Sequence, residues 1–195
     1  MSIVTRLAGP VLAGVILAAG TATAETTPDG IHTEPWMNNL SFMDMPEDLQ
    51  DARDSGKEGL VVIWEQEGCG SCLKLHEKNF QRQALIDYIP ENFAVMTMNM
   101  YGEKKVTTFD GETMPEKDWA QELRVNFSPT TVFFGEGGKE VFRMPGYFEP
   151  YYYLAGYVFV AERGYESEEH RGMFPRWLKD NNPRVQDIFG GPPGS

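Results

Sequence analysis

The segment Gly68-Cys69-Gly70-Ser71-Cys72 holds the only two cysteines of the chain, and it stands where one hydrophobic pattern gives way to another. Leu60 to Trp64 is a short apolar, β-branched run bounded by Ser55-Gly56 and by the loop Glu65 to Gly68, which predicts a buried central strand. From Cys69 to about Tyr88 the apolar residues recur at helical spacing, with Pro90 as the stop. A thiol in the first turn of a helix meets unpaired backbone N–H groups and the positive end of the dipole, and both favour its thiolate. The two-residue spacing lets both sulfurs come within bonding range, so one can attack a partner disulfide and the other can resolve the mixed disulfide. Cys69 is therefore the candidate nucleophile and Cys72 the candidate resolving thiol.

Other readings of the pair remain open at this point. A structural staple is one, although closing a four-residue loop is worth only about 2 kcal/mol in the chain-entropy account, against ~4.7 kcal/mol for a hundred-residue loop. A closed zinc site needs four ligands, and the chain has no second cysteine pair, only His32, His76 and His170. A copper carrier could draw on Cys69, Cys72 and His76, or on Met96, Met98 and Met100, which alternate along one strand face. For the methionines the competing reading is core filling, and for His76 a surface histidine. A protein-binding module without turnover is a further alternative.

The ends of the chain bear on compartment. Arg6, the apolar run Leu7 to Ala19 and then Ala22-Thr23-Ala24 follow the order of a cleavable secretory signal peptide over residues 1–24. The run is shorter than the ~20 residues a membrane span requires, and Pro10 and Gly14 interrupt it. The mature protein is expected to be exported and periplasmic. Its 41% apolar and 12% aromatic content fits a folded domain with a full core. A net charge of −12 opposes binding to phosphate backbones or anionic lipid, so nucleic acid is not an expected partner.

Residues 25–39 are rich in Thr, Pro, Gly and Asp and read as a flexible lead-in. Met45 to Arg53 predicts a helix capped by Asp44, and Phe93 to Met100 a second strand. Tyr101 to Met114 reads as a loop or hairpin before a helix at about Pro115 to Leu123. Thr130 to Phe134 and Lys139 to Met144, joined by Gly135 to Gly138, read as a hairpin, and Pro150 to Arg163 as a helix. Residues 164–195 form a C-terminal extension in which Phe174 to Leu178 can dock as a short amphipathic segment. The fold class is α/β, a mixed sheet covered by helices.

Ser128-Pro129-Thr130 places a proline at the entrance of an apolar strand, where it lacks the N–H for a ladder bond and must begin the strand or lie at an edge. With the strand Leu60 to Trp64, the pair Cys69-Gly70-Ser71-Cys72 and the Gly137-Gly138 hairpin, this order over residues 40–163 resembles the thioredoxin superfamily. Trp64 to Cys69, Asp110-Gly111-Glu112 and Arg143 to Tyr147 resemble the periplasmic SoxW/SoxS-like thioredoxin proteins of bacterial sulfur oxidation.

The resemblance implies a thioredoxin-like fold in which Pro129 is cis and packs opposite the cysteines. It also implies an exposed Cys69, a shielded Cys72, and a substrate-binding rim at Gly68, Ser128 and Pro129. The implied activity is thiol–disulfide exchange, reducing protein disulfides with the dithiol as the only redox group, no metal and no other cofactor. A sulfur-oxidation carrier protein would be the client, a membrane thiol transporter the electron donor, and the protein a monomer. Three positions depart from common thioredoxins, which carry Trp before the first cysteine, Gly-Pro between the two, and a buried Asp where this chain has Ile63. Glu65 and Glu67 lie close enough to take over proton transfer, against the plainer reading of solvated loop carboxylates. Tyr147, Tyr151, Tyr152, Tyr153 and Tyr157 read as packing rather than docking residues.

Overall fold

A computed structural model describes residues 24–38 and 41–194. Residues 1–23 of the expected signal peptide lie outside the described residues. Among the described residues no helix is long and apolar enough to cross a membrane.

The centre is a four-stranded mixed sheet. Strands β3 (Gly59–Glu65) and β4 (Phe93–Asn99) run parallel, while β7 (Thr130–Phe134) is antiparallel to β3 and to β8 (Glu140–Pro145), in the spatial order β4-β3-β7-β8. Strand parity sorts the core into two layers. Leu60, Val62 and Trp64 of β3 face one cluster with Met96, Met98, Met100 and Trp119, covered by helices α1 (Met45–Asp54) and α4 (Glu116–Glu122). Val61 and Ile63 face the other, with Leu75, Phe80, Phe133 and Tyr157. That second layer holds helices α2 (Gly70–Lys74), α3 (Gln83–Asn92), α5 (Pro150–Ala161) and α6 (Phe174–Phe189). The three alternating methionines are thus core residues, as are Tyr151, Tyr153 and Tyr157.

Helix α1 begins where the sequence puts its cap, with the Asp44 carboxylate accepting from the Glu47 N–H at 3.2 Å. Two short hairpins lie outside the main sheet, β1 (Glu25–Thr26) with β2 (His32–Thr33), and β5 (Lys105–Thr107) with β6 (Thr113–Pro115).

Several sequence expectations change. The long helix from Cys69 is two helices: α2 widens into a π turn, Leu75–Asn79, closed by the Phe80 N–H on the Leu75 carbonyl, and α3 starts afresh at Gln83. Pro90 does not stop α3, which continues to Asn92. Pro90 removes one helical hydrogen bond, the one to the Ile86 carbonyl, and the last turn is held by the Asn92 amide on the Tyr88 carbonyl and the Lys57 ammonium on the Pro90 carbonyl. Within the expected flexible lead-in lies the hairpin of β1 and β2, with Ile31 between its strands and Glu34 just after it both buried. The short C-terminal segment is a 16-residue helix that lays Trp177 and Val185 onto the core.

Glu116, the first residue of α4, is buried; one carboxylate oxygen accepts from the Asn99 N–H at 3.2 Å and the other has no hydrogen-bond partner. Burial raises its titration above the ordinary carboxylate value, only partly offset by the Asn99 hydrogen bond and the Lys104 charge. A raised folded-state value means that its contribution to stability is complete below the unfolded value of ~4.3 and is lost as the pH rises through the folded value. Glu116→Gln keeps an acceptor for Asn99 and removes the charge. It is expected to raise the melting temperature at pH 7.5 by about 2–4 °C, equivalent to ~1 kcal/mol, and to leave it nearly unchanged at pH 4, measured by calorimetry.

Candidate functional site

Cys69 and Cys72 are joined by a disulfide at the start of α2. The buried strand β3 ends at Glu65, a tight turn brings the Cys69 N–H onto the Gln66 carbonyl at 3.3 Å, and Cys69 caps α2. Its Sγ accepts from the Cys72 backbone N–H at 3.1 Å and from the Ser128 hydroxyl at 3.3 Å. Both donors favour negative charge on Cys69 once the disulfide opens. Cys69 retains 7% exposure and Cys72 none, so of the two sulfurs only Cys69 has a path to a partner.

Ser128 reaches Cys69 from across the sheet because it precedes β7, whose Thr130 pairs with Trp64. The Ser128–Pro129 peptide is cis, and the Pro129 carbonyl accepts from the Gly146 N–H at 2.8 Å, tying that segment to the end of β8. Gly68 has φ of +72°, a backbone conformation that disfavours any side chain. A tryptophan at this position would be strained in that backbone conformation, although the space around it is open. On the rim, Lys74 pairs with Glu149 at 3.1 Å and sits over the Tyr147 ring. Leu73 and Phe127 add exposed apolar surface.

Behind the disulfide lies a feature that local sequence reading misplaces. His76 is fully buried between two carboxylates, its Nδ1 2.8 Å from Glu34 Oε1 and its Nε2 2.8 Å from Glu65 Oε1. The other oxygen of Glu65 accepts from the His32 backbone N–H at 2.9 Å and lies 3.0 Å from His32 Nδ1. Burial alone would lower the His76 titration, but the hydrogen bonds to Glu34 and Glu65, with their charges, leave it raised.

Neither the surface reading of His76 nor the solvated-loop reading of Glu65 stands. Glu67 does lie in the exposed loop. Both ring nitrogens of His76 are engaged by carboxylates, which leaves none for the sulfurs. Two signals were available in the sequence. Glu65 shares the parity of Val61 and Ile63, hence the inner face of β3, and His76 follows the buried Cys72 by one helical turn. Nothing local marked His32 and Glu34, which sit in a segment of turn composition.

The sequence profile of the thioredoxin-like domain family matches residues 45–161. No curated protein matches the chain by sequence. Among solved structures, a thioredoxin-fold protein from Helicobacter pylori is similar at 22% identity and a TM-score of 0.55, covering 66% of this chain and 84% of that one. Spinach chloroplast thioredoxin F is similar at 16% identity and a TM-score of 0.42, over 61% and 89% of the two chains. A DsbH oxidoreductase is similar at 16% identity and 0.41, over 77% and 95%.

Proposed function

Because the chain belongs to the thioredoxin-like domain family, we propose that it is a thiol–disulfide oxidoreductase that reduces protein disulfides with the Cys69/Cys72 dithiol. The observation that carries this reading is the asymmetry of the pair: Cys69 keeps a small exposed fraction, 7%, with two donors on its sulfur, and Cys72 is fully enclosed. In the reduced protein, the Cys69 thiolate attacks one sulfur of a client disulfide. The client S–S bond breaks, a Cys69–client disulfide forms, and the other client sulfur leaves as a thiolate that takes up a proton. Cys72 then loses its proton and attacks Cys69 Sγ, releasing the second client thiol and forming the internal disulfide. Two electrons pass from the dithiol to the client, carried by the sulfurs themselves.

The N-terminal export pattern supports a periplasmic setting, in which a membrane thiol transporter would return the protein to its reduced form. The resemblance of Trp64 to Cys69 and Arg143 to Tyr147 to the sulfur-oxidation thioredoxins supports a carrier protein of that process as client. Ser128 acts as a positioning residue for the thiolate, and Pro129 and Gly68 frame the groove in which a client segment lies.

Equilibration with glutathione tests the direction of electron flow. A potential near ~−270 mV is expected, and one near ~−120 mV would make the protein a disulfide donor instead. Ser128→Ala removes a donor that favours the reduced, thiolate form. It is expected to raise the Cys69 thiol pKa and to shift the potential by about 20 mV in the reducing direction.

A further inference from the structure

We propose that His32, Glu65 and His76 form a zinc(II) site, with Glu34 as the outer carboxylate that orients His76, separate from the cysteine pair. The donor atoms of the three residues all lie within 4.8 Å of one another. Zinc bound tetrahedrally at ~2.0–2.1 Å by nitrogen and oxygen sets its donors ~3.3 Å apart. Glu65 Oε1 stands 2.8 Å from His76 Nε2 and Glu65 Oε2 stands 3.0 Å from His32 Nδ1, so the carboxylate lies between the two imidazoles with one oxygen toward each. Donors as far apart as 4.8 Å must draw together to close around an ion, and His32, on a two-residue strand and 13% exposed, is the least enclosed of the three ligands.

Two further observations point to a metal rather than to hydrogen bonding alone. Glu34 holds His76 Nδ1 at 2.8 Å from the side opposite Glu65, the carboxylate–imidazole–metal arrangement that fixes tautomer and ring orientation at zinc centres. The site also has a way in. His32 and His76 line a cleft of about 290 Å³ shared with Leu73, Glu77 and Gln81, and an ion and a water as fourth ligand would enter from that side. Two histidines and one carboxylate with an open position is a zinc-binding set, and it uses no sulfur. The ligands come from β2, the end of β3 and the π turn after α2, so the ion would tie the N-terminal hairpin to the helix that carries the disulfide.

The test uses the untagged protein with its disulfide intact, so that no thiol competes, stripped with a chelator and titrated with zinc chloride by calorimetry. One equivalent is expected to bind with a Kd of about 1 µM or tighter. His32→Ala, at the partly exposed ligand where folding is least at risk, is expected to weaken binding at least about tenfold, and Glu34→Gln about 10–100-fold. X-ray absorption of the loaded protein is expected to show nitrogen and oxygen neighbours and no sulfur. Absence of stoichiometric binding by the disulfide form, or undiminished binding by a folded His32→Ala protein, overturns the proposal.

Discussion

Cys72→Ser protein, incubated with disulfide-bearing client proteins, is expected to accumulate adducts that dithiothreitol releases and that disappear when Cys69 is also replaced. Cys69 is the sulfur with exposure and with the Ser128 and Cys72 N–H donors on it, so it makes the first bond to the client. Cys72 is enclosed directly beneath, and without its sulfur the mixed disulfide has no internal route to resolution. Cys69→Ser is expected to lower disulfide reductase turnover by a factor on the order of 10³ or more, since the one thiol left in the chain, Cys72, is fully enclosed and has no path to a client. Non-reducing electrophoresis with mass spectrometry of the adducts reads both outcomes. Adducts that form through Cys72 in a Cys69→Ser protein, but not through Cys69, would reverse the assigned roles. Clients retained after both cysteines become serine, with no exchange activity in the parent protein, would favour a binding module.

His76→Ala, assayed with a chelator present, is expected to be the most destabilising single change at the site. Glu34 and Glu65 are both buried, and His76 bridges them through both ring nitrogens. Its removal leaves two buried carboxylates facing each other without the group that bridged them, and losing one partner of a buried ionic pair costs about 3–5 kcal/mol. For a chain of this size that corresponds to a fall in melting temperature of about 10 °C or more. Glu34→Gln in the His76→Ala background is expected to restore part of the loss, because the two changes act on one network and do not add. Full additivity in differential scanning calorimetry would show that Glu34 and His76 are not coupled.

The strands and the redox pair were legible because they depend on short-range patterns. A run of β-branched residues ending in a loop with Gly68, followed by helical periodicity, locates the β3–α2 junction to within a residue or two. The π turn at Leu75–Asn79 was not legible. Its apolar positions continue an α-helical spacing closely enough that only the i to i+5 closure reveals the change. The continuation of α3 past Pro90 was hidden for a different reason: the carbonyls near it are satisfied by Lys57 and by a side chain later in the same helix. The docking of α6 along its whole length depends on an apolar face of α5 that is itself defined only once the sheet has formed.

The departure at Ile63 is instructive in the same way. Common thioredoxins carry a buried acid there. In this chain the buried acid is Glu65, two residues on and on the same strand face, and it faces histidines. Parity along the strand was enough to put Glu65 inside, but its partners are His76, 11 positions on, and His32, 33 positions back, which meets it only once the hairpin has folded onto the strand.

The chain's own sequence determined that Cys69 and Cys72 open a helix after a buried strand, because backbone periodicity and a two-residue spacing are local properties. Tertiary structure alone decided that Ser128 donates to Cys69 and that His32, Glu34, Glu65 and His76 meet in one buried cluster. Those contacts join residues far apart in the chain, and a charged or polar side chain carries no mark of its partner until burial removes water and makes that partner necessary.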